Sequence, residues 1–162
     1  MKLLPYLRGY VPRNTLGKVW GAIEQAGDWD KLFWWDEPIE SPFPQQGDLV
    51  SFMAYMADRD DLKTLFIGEH EGELVGITWF HEEKHGTCQS GIWVAPKWRG
   101  VFSRQLVNES MVLLKQLKGI KQVFALTQWP VCRNLCRKTG FVETNIEHDE
   151  RGRTFYHLTR EL

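Results

Sequence analysis

Gly91-Ile92-Trp93-Val94-Ala95-Pro96-Lys97-Trp98-Arg99-Gly100-Val101-Phe102-Ser103-Arg104-Gln105-Leu106-Val107 is the stretch that decides the fold. With Cys88 to Ser90 ahead of it, its first part reads as a strand, which Pro96 closes because proline has no N–H to give a ladder. Its second part opens a helix. Phe102, Leu106, Val107, Ser110, Met111, Leu113, Leu114 and Leu117 form one apolar face over about four turns, and Gly119 stands just past the end.

Downstream, Lys121 to Trp129 reads as a buried strand. Pro130 to Gly140 reads as a short helix with proline in its first turn and glycine as its stop. Phe141 to Leu162 forms a final hairpin across Asp149 to Gly152. Upstream, two apolar runs between Lys63 and Glu83 flank Glu71-Gly72, and His85-Gly86 turns the chain into the deciding strand. Residues 2 to 12 supply an opening strand. A helix capped by Asn14 or Thr15 follows, with Leu16, Val19, Trp20 and Ile23 at helical spacing and Gly27 as its end.

Residues 28–47 carry Trp29, Phe33, Trp34, Trp35, three prolines and five carboxylates without a period, a length that marks a functional connection. Asp48 caps a further helix through Leu49, Phe52, Met53 and Met56. The order is therefore strand, helix, helix, three strands, helix, strand, helix, two strands. No internal repeat appears.

The chain has 162 residues, 43% hydrophobic and 25% charged, which is a single domain spanning 1–162 and excludes a disordered or fibrous class. Twenty Lys and Arg against 21 Asp and Glu give no overall field toward nucleic acid or an anionic membrane. No run approaches the ~20 apolar residues of a span, and the opening MKLLPYLRGYVPR is broken by Pro5 and Arg8 before it makes a secretory signal. Three cysteines, Cys88, Cys132 and Cys136, fit a reducing compartment, so a cytoplasmic location is expected.

The element order, Val94-Ala95-Pro96-Lys97-Trp98-Arg99-Gly100 leading into a helix, and Cys136-Arg137-Lys138-Thr139-Gly140-Phe141 ending another together resemble the GNAT family of acetyl-coenzyme A dependent acyltransferases. The likeness covers most of the chain. It implies an α/β (α+β) fold: a mixed, mainly antiparallel seven-stranded sheet flanked by about four helices, its central strands splayed to admit an extended cofactor. It implies acetyl-CoA bound by Ile92, Trp93 and Val94 along the strand and by Arg99, Gly100, Val101, Phe102, Ser103 and Arg104 at the helix N-terminus, where free amides and the helix dipole meet a pyrophosphate. The implied reaction is transfer of acetyl to a primary amine of a small molecule or protein by direct attack, in a monomer or homodimer.

Three departures from the family pattern stand out. The loop after Arg99-Gly100 is one residue short and keeps only Gly100 and Ser103 small, a looseness similar to GNAT-type domains of tailed phages. The position of the family's proton-donating tyrosine falls on Cys136, which makes this thiol the candidate catalytic acid against the alternative of a packed core residue. The Asn that often opens this helix is Trp129, and Gln89 to Val94 carry no carboxylate where relatives often keep a base, leaving His81, Glu82 and Glu83 as the nearest titratable groups. These departures support an alternative function, a GNAT-fold binding or virion-associated protein that has lost catalysis.

In the aromatic connection, Trp34, Trp35, Asp36 and Glu37 are candidates for an acceptor pocket, where indole faces and carboxylates attract a cationic amine; the other reading is a loop packed on the first helix. A zinc site from Cys132, Cys136, His81 and His85 is not expected, since i,i+4 spacing does not converge on a strand. Lys115, Lys118, Lys121, Arg133, Arg137 and Lys138 read as a solvated basic surface.

Overall fold

A computed structural model describes residues 1–7, 11–28, 56 and 63–162, without the side chains of 82–84. Seven strands form one sheet in the order β1-β2-β3-β4-β5-β7-β6. They are β1 (Lys2–Tyr6), β2 (Thr64–His70), β3 (Glu73–Lys84), β4 (Thr87–Val94), β5 (Gln122–Thr127), β6 (Val142–His148) and β7 (Thr154–Glu161). All neighbours are antiparallel except β4 and β5. The expected mixed seven-stranded sheet is thus present. Among the described residues there are three α-helices, against the four or so expected: α1 (Arg13–Gln25), α2 (Ser103–Lys118) and α3 (Pro130–Lys138). The helix expected after Asp48 lies outside the described residues apart from Met56, which is helical and buried.

Both early hairpins turn as the sequence requires. Glu71 and Gly72 have φ of 52° and 81°, and His85 and Gly86 have 51° and 80°, the pair of positive angles that matches strand twist in a two-residue loop. The first strand is shorter than expected, ending at Tyr6. Helix α1 is capped by neither Asn14 nor Thr15. Pro12 is the N-cap, with its carbonyl accepting from the amides of Thr15 and Leu16 at 2.9 and 3.1 Å.

Period-2 alternation splits the core between the two faces of the sheet. Leu65, Ile67, Ile77, Trp79 and Trp93 meet Leu16, Val19, Trp20 and Ile23 of α1. Phe66, Phe80, Val123, Ala125 and Leu158 meet Val107, Met111 and Leu114 of α2. On the α2 side Thr78 and Ser110 share a buried hydrogen bond of 2.7 Å, which satisfies both hydroxyls away from water.

The feature that positions the site is the meeting of β4 and β5. They pair only at Thr87, Cys88 and Gln89 with Gln122, Val123 and Phe124. Beyond Gln89, β4 stays paired to β3 as far as Val94 while its other edge leaves β5. A wedge opens in the middle of the sheet.

Candidate active site

The wedge widens into a cavity of about 630 Å³ between β4, the loop into α2, and α3, within the range of small-molecule sites. Ala95 donates its amide to the Val75 carbonyl at 2.9 Å. In an antiparallel pair the bonded residues alternate, so Trp93 and Gly91 face β3 while the N–H and C=O of Ile92 and Val94 face the wedge. Ile92, Trp93 and Val94 all line the cavity.

The loop from Pro96 folds as a 3-10 turn, Pro96–Trp98, and continues through two turn bonds, Val101 and Phe102 both donating to the Trp98 carbonyl at 3.0 and 2.9 Å. Phe102 is the N-cap of α2 and supplies no side-chain cap. The first amides of α2, those of Ser103, Arg104 and Gln105, precede the first intrahelical bond, Leu106 to Phe102, and carry the positive end of the helix dipole. Gly100, Val101, Ser103 and Arg104 line the cavity at this end. A Cβ built on Gly100 meets nothing within 4 Å, so the backbone there faces open space.

Phe102 takes another course. Its ring packs on His70 and Trp98, with centroids 4.8 and 5.3 Å away, and is not among the cavity-lining residues. Arg99 does line the cavity, yet its guanidinium is engaged: Nε donates to the Val94 carbonyl at 3.0 Å and Nη2 pairs with Asp28 Oδ2. Asp28 is 2% exposed and also accepts from the Trp93 indole at 3.0 Å. It reaches this place because Gly27, at φ 62°, reverses the chain at the end of α1, and the Asp28 amide caps the Ile23 carbonyl at 3.2 Å. The cations lining the cavity besides Arg99 are Arg104 and Lys138.

Helix α3 forms the far wall. Trp129, Val131, Cys132, Asn134 and Leu135 line the cavity with Lys138. The helix is pinned from behind by Arg133, which donates two bonds to Glu143 at 2.6 and 3.0 Å and lies 4.2 Å over the Tyr156 ring. Cys136 is not among the lining residues; it packs against the α2-side core with Leu135. Burial pushes its thiol up to about 12, with Cys132 adding to the rise. The Cys132 thiol is also raised by burial, against a hydrogen bond from Thr127 and the charge of Arg99 that pull it down. Trp34, Trp35, Asp36 and Glu37 lie outside the described residues.

No family model and no curated protein matches this sequence. Solved structures do. A mutant of the spermidine N-acetyltransferase SpeG of Vibrio cholerae superposes with a TM-score of 0.73 at 19% identity, covering 99% of this chain and 95% of the other. A ribosomal-protein-alanine N-acetyltransferase of Brucella melitensis gives a TM-score of 0.72 at 17% identity over 98% and 99% of the two chains. The chain has the GNAT fold. The V. cholerae enzyme has also been solved with CoA and spermine, at a TM-score of 0.72, 18% identity and coverage of 98% and 95%. These structures are all of N-acetyltransferases.

Against the GNAT pattern, the residues present fit a ligand that carries phosphates. Uncapped amides, open space at Gly100 and the side chain of Arg104 share one end of the cavity, and Lys138 lines the same cavity from α3. The wedge edge of β4 and the exposed Val101 and Val131, at 65% and 75%, continue it as an apolar groove. Among the lining residues, sequence reasoning took Lys138 for a solvated surface residue and missed Asp28. Its one signal was its place directly after the helix-ending Gly27.

Proposed function

We propose that this chain is an acetyl-CoA dependent N-acetyltransferase that delivers acetyl to a primary amine by direct attack. One observation carries the reading: the uncapped start of α2, the open Gly100, the cations Arg104 and Lys138 and the free edge of β4 share a single cavity. When bound, acetyl-CoA supplies the activated acyl group as a thioester. The amides of Ser103 and Arg104, with the side chains of Arg104 and Lys138, hold its phosphates. The N–H and C=O of Ile92 and the N–H of Val94 pair with its amide-bearing arm, while Val101 and Val131 cover the arm's apolar length. Held along β4 by these groups, the thioester would be fixed for attack by an incoming amine, and such positioning supplies much of the rate in acyl transfers.

The attacking amine would lose its proton to solvent, and a thiol of α3 would give the leaving thiolate its proton and regain one from solvent. Cys136 holds the position implied by the family pattern and Cys132 stands one turn nearer the N-terminus, in the cavity wall. To Trp34, Trp35, Asp36 and Glu37 we assign recognition of the acceptor, by indole faces and carboxylates that attract a cationic amine. The acceptor is an amine of a small molecule or a protein, the two classes named for the neighbours above. No helix among the described residues is long and apolar enough to cross a membrane, and with free cysteines we assign the reaction to the cytoplasm.

The deciding experiment is calorimetric titration with acetyl-CoA, together with a melting curve. Binding should raise the melting temperature, because a ligand held only by the folded state stabilises it by mass action. Absence of heat and of any melting shift at millimolar cofactor overturns the reading.

A further inference from the structure

The cavity holds three cations and one carboxylate among its lining residues, and they are not equivalent. Asp28 is 2% exposed at its side chain, whereas Arg99 is 46% exposed. A carboxylate this deeply buried requires a partner, since desolvation of an unpaired charge is costly. The guanidinium of Arg99 and the indole N–H of Trp93 are among its partners, both at Oδ2. Arg99 in turn bonds the last carbonyl of β4, that of Val94, at 3.0 Å. The chain Trp93, Asp28, Arg99, Val94 therefore closes on itself across the end of α1 and the end of β4.

We infer that Asp28 is a positioning residue that holds Arg99 against the end of β4 and divides the labour among the cavity's cations. Arg99 is structural: it fixes the strand end and the start of the loop, and its charge is spent on Asp28. Arg104 and Lys138 are left to meet the phosphates. This rests on the cofactor reading for the phosphates, but the holding of Arg99 is a property of the protein alone. It also accounts for the shortened loop. A loop that lacks the usual small residues gains its shape from a side-chain brace reaching back to α1.

The test has two arms. In ligand-free, nitrogen-15-labelled protein, the Arg99 Nε–H resonance, assigned by its loss in Arg99→Lys, should exchange slowly with water, and about tenfold faster in Asp28→Asn, the effect of losing one charge-assisted hydrogen bond. Equal exchange rates in the two proteins overturn the positioning role. If Asp28→Asn does not fold, a wild-type Nε–H that exchanges as fast as those of exposed arginines overturns it, and a protected one supports it.

In the second arm coenzyme A is titrated at low and high salt. Arg104→Ala and Lys138→Ala should each weaken binding about tenfold and flatten its salt dependence, since each removes a screened charge contact. Arg99→Lys should stay within about twofold of wild type with its salt dependence intact. Asp28→Asn should steepen that dependence by releasing Arg99 toward the phosphates. An Arg99→Lys loss equal to that of Arg104→Ala overturns the division of labour. A wild type that binds no coenzyme A overturns the cofactor reading and the division together, while exchange at Arg99 still decides whether Asp28 holds it.

Discussion

The indole of Trp79 lies directly over Gly91: a Cβ added there would stand 2.1 Å from the Trp79 ring. The two residues are paired in the β3–β4 register, and Trp79 belongs to the core under α1. Gly91→Ala should therefore destabilise the fold by about 1–3 kcal/mol, the usual cost of overpacking, which a melting curve reads as roughly 2–4 °C per kcal/mol. Adding Trp79→Leu should recover part of that loss, because it removes the ring that blocks the new methyl group.

The same contact bears on catalysis. No carboxylate can stand at position 91 on the α1 face of β4 while Trp79 fills that space. With no strand carboxylate to deprotonate the amine, kcat/KM should climb with pH along the ionisation of the acceptor itself. Two acceptors of different basicity should give two displaced profiles. One shared inflection near about pH 6 to 7, the range of a histidine, would point to an enzymic base.

Cys136 offers a pH signature in stability. Its thiol is pushed from an ordinary 9.0 up to about 12 by burial, so the unfolded chain releases this proton at lower pH than the folded one. The sign follows: the stabilisation tied to the protonated thiol is complete below about pH 9 and is lost between there and about pH 12. Denaturation midpoints measured up that alkaline range should fall less steeply in Cys136→Ala than in wild type.

Turnover separates the two thiols. Cys132→Ser and Cys136→Ser each change volume little and put a hydroxyl donor in place of the thiol, and Ala removes the donor. The thiol that serves as acid should show reduced kcat in its Ala variant with cofactor affinity unchanged. A Cys136→Ala protein with full turnover assigns Cys136 to packing.

For the acceptor side, Trp34→Ala and Asp36→Asn should raise the acceptor KM while acetyl-CoA affinity stays within about twofold, because each removes a contact worth ~0.5 to 2 kcal/mol from one ligand only. Parallel loss of both affinities with a melting drop of the size expected for a lost buried indole, ~3 to 5 kcal/mol, would make the segment structural.

Much of the architecture was legible because its signals are local. Glu71-Gly72 and His85-Gly86 announce two-residue turns by what they permit in φ, and Leu106 to Leu114 announce α2 by spacing alone. The cap of α1 was misread because Pro12 caps with its carbonyl, a role any residue can fill, whereas Asn14 and Thr15 are only the more familiar side chains. Phe102 and Asp28 were beyond reach for a different reason. Phe102 packs not only on nearby Trp98 but on His70 of β2, and Asp28 meets Trp93 and Arg99 at sequence separations of 65 and 71 residues. Such contacts exist only once the sheet has assembled, and no period or motif encodes them.

The parting of β4 from β5 has a mechanical side. Strands β1 to β4 and strands β5 to β7 are sewn to each other along the sheet by three residue pairs, Thr87 to Gln89 with Gln122 to Phe124. One stitch, Ser90 Oγ to the Phe124 carbonyl at 3.1 Å, lies just past the last of them. Along the sheet itself the protein is thus two leaves joined at a short spine, with one core under α2 spanning both and the edge of β4 beyond Gln89 left as unfinished ladder. Under the function proposed above, a guest bearing amides of its own would supply the missing rungs, so its binding energy would be spent partly on completing the sheet.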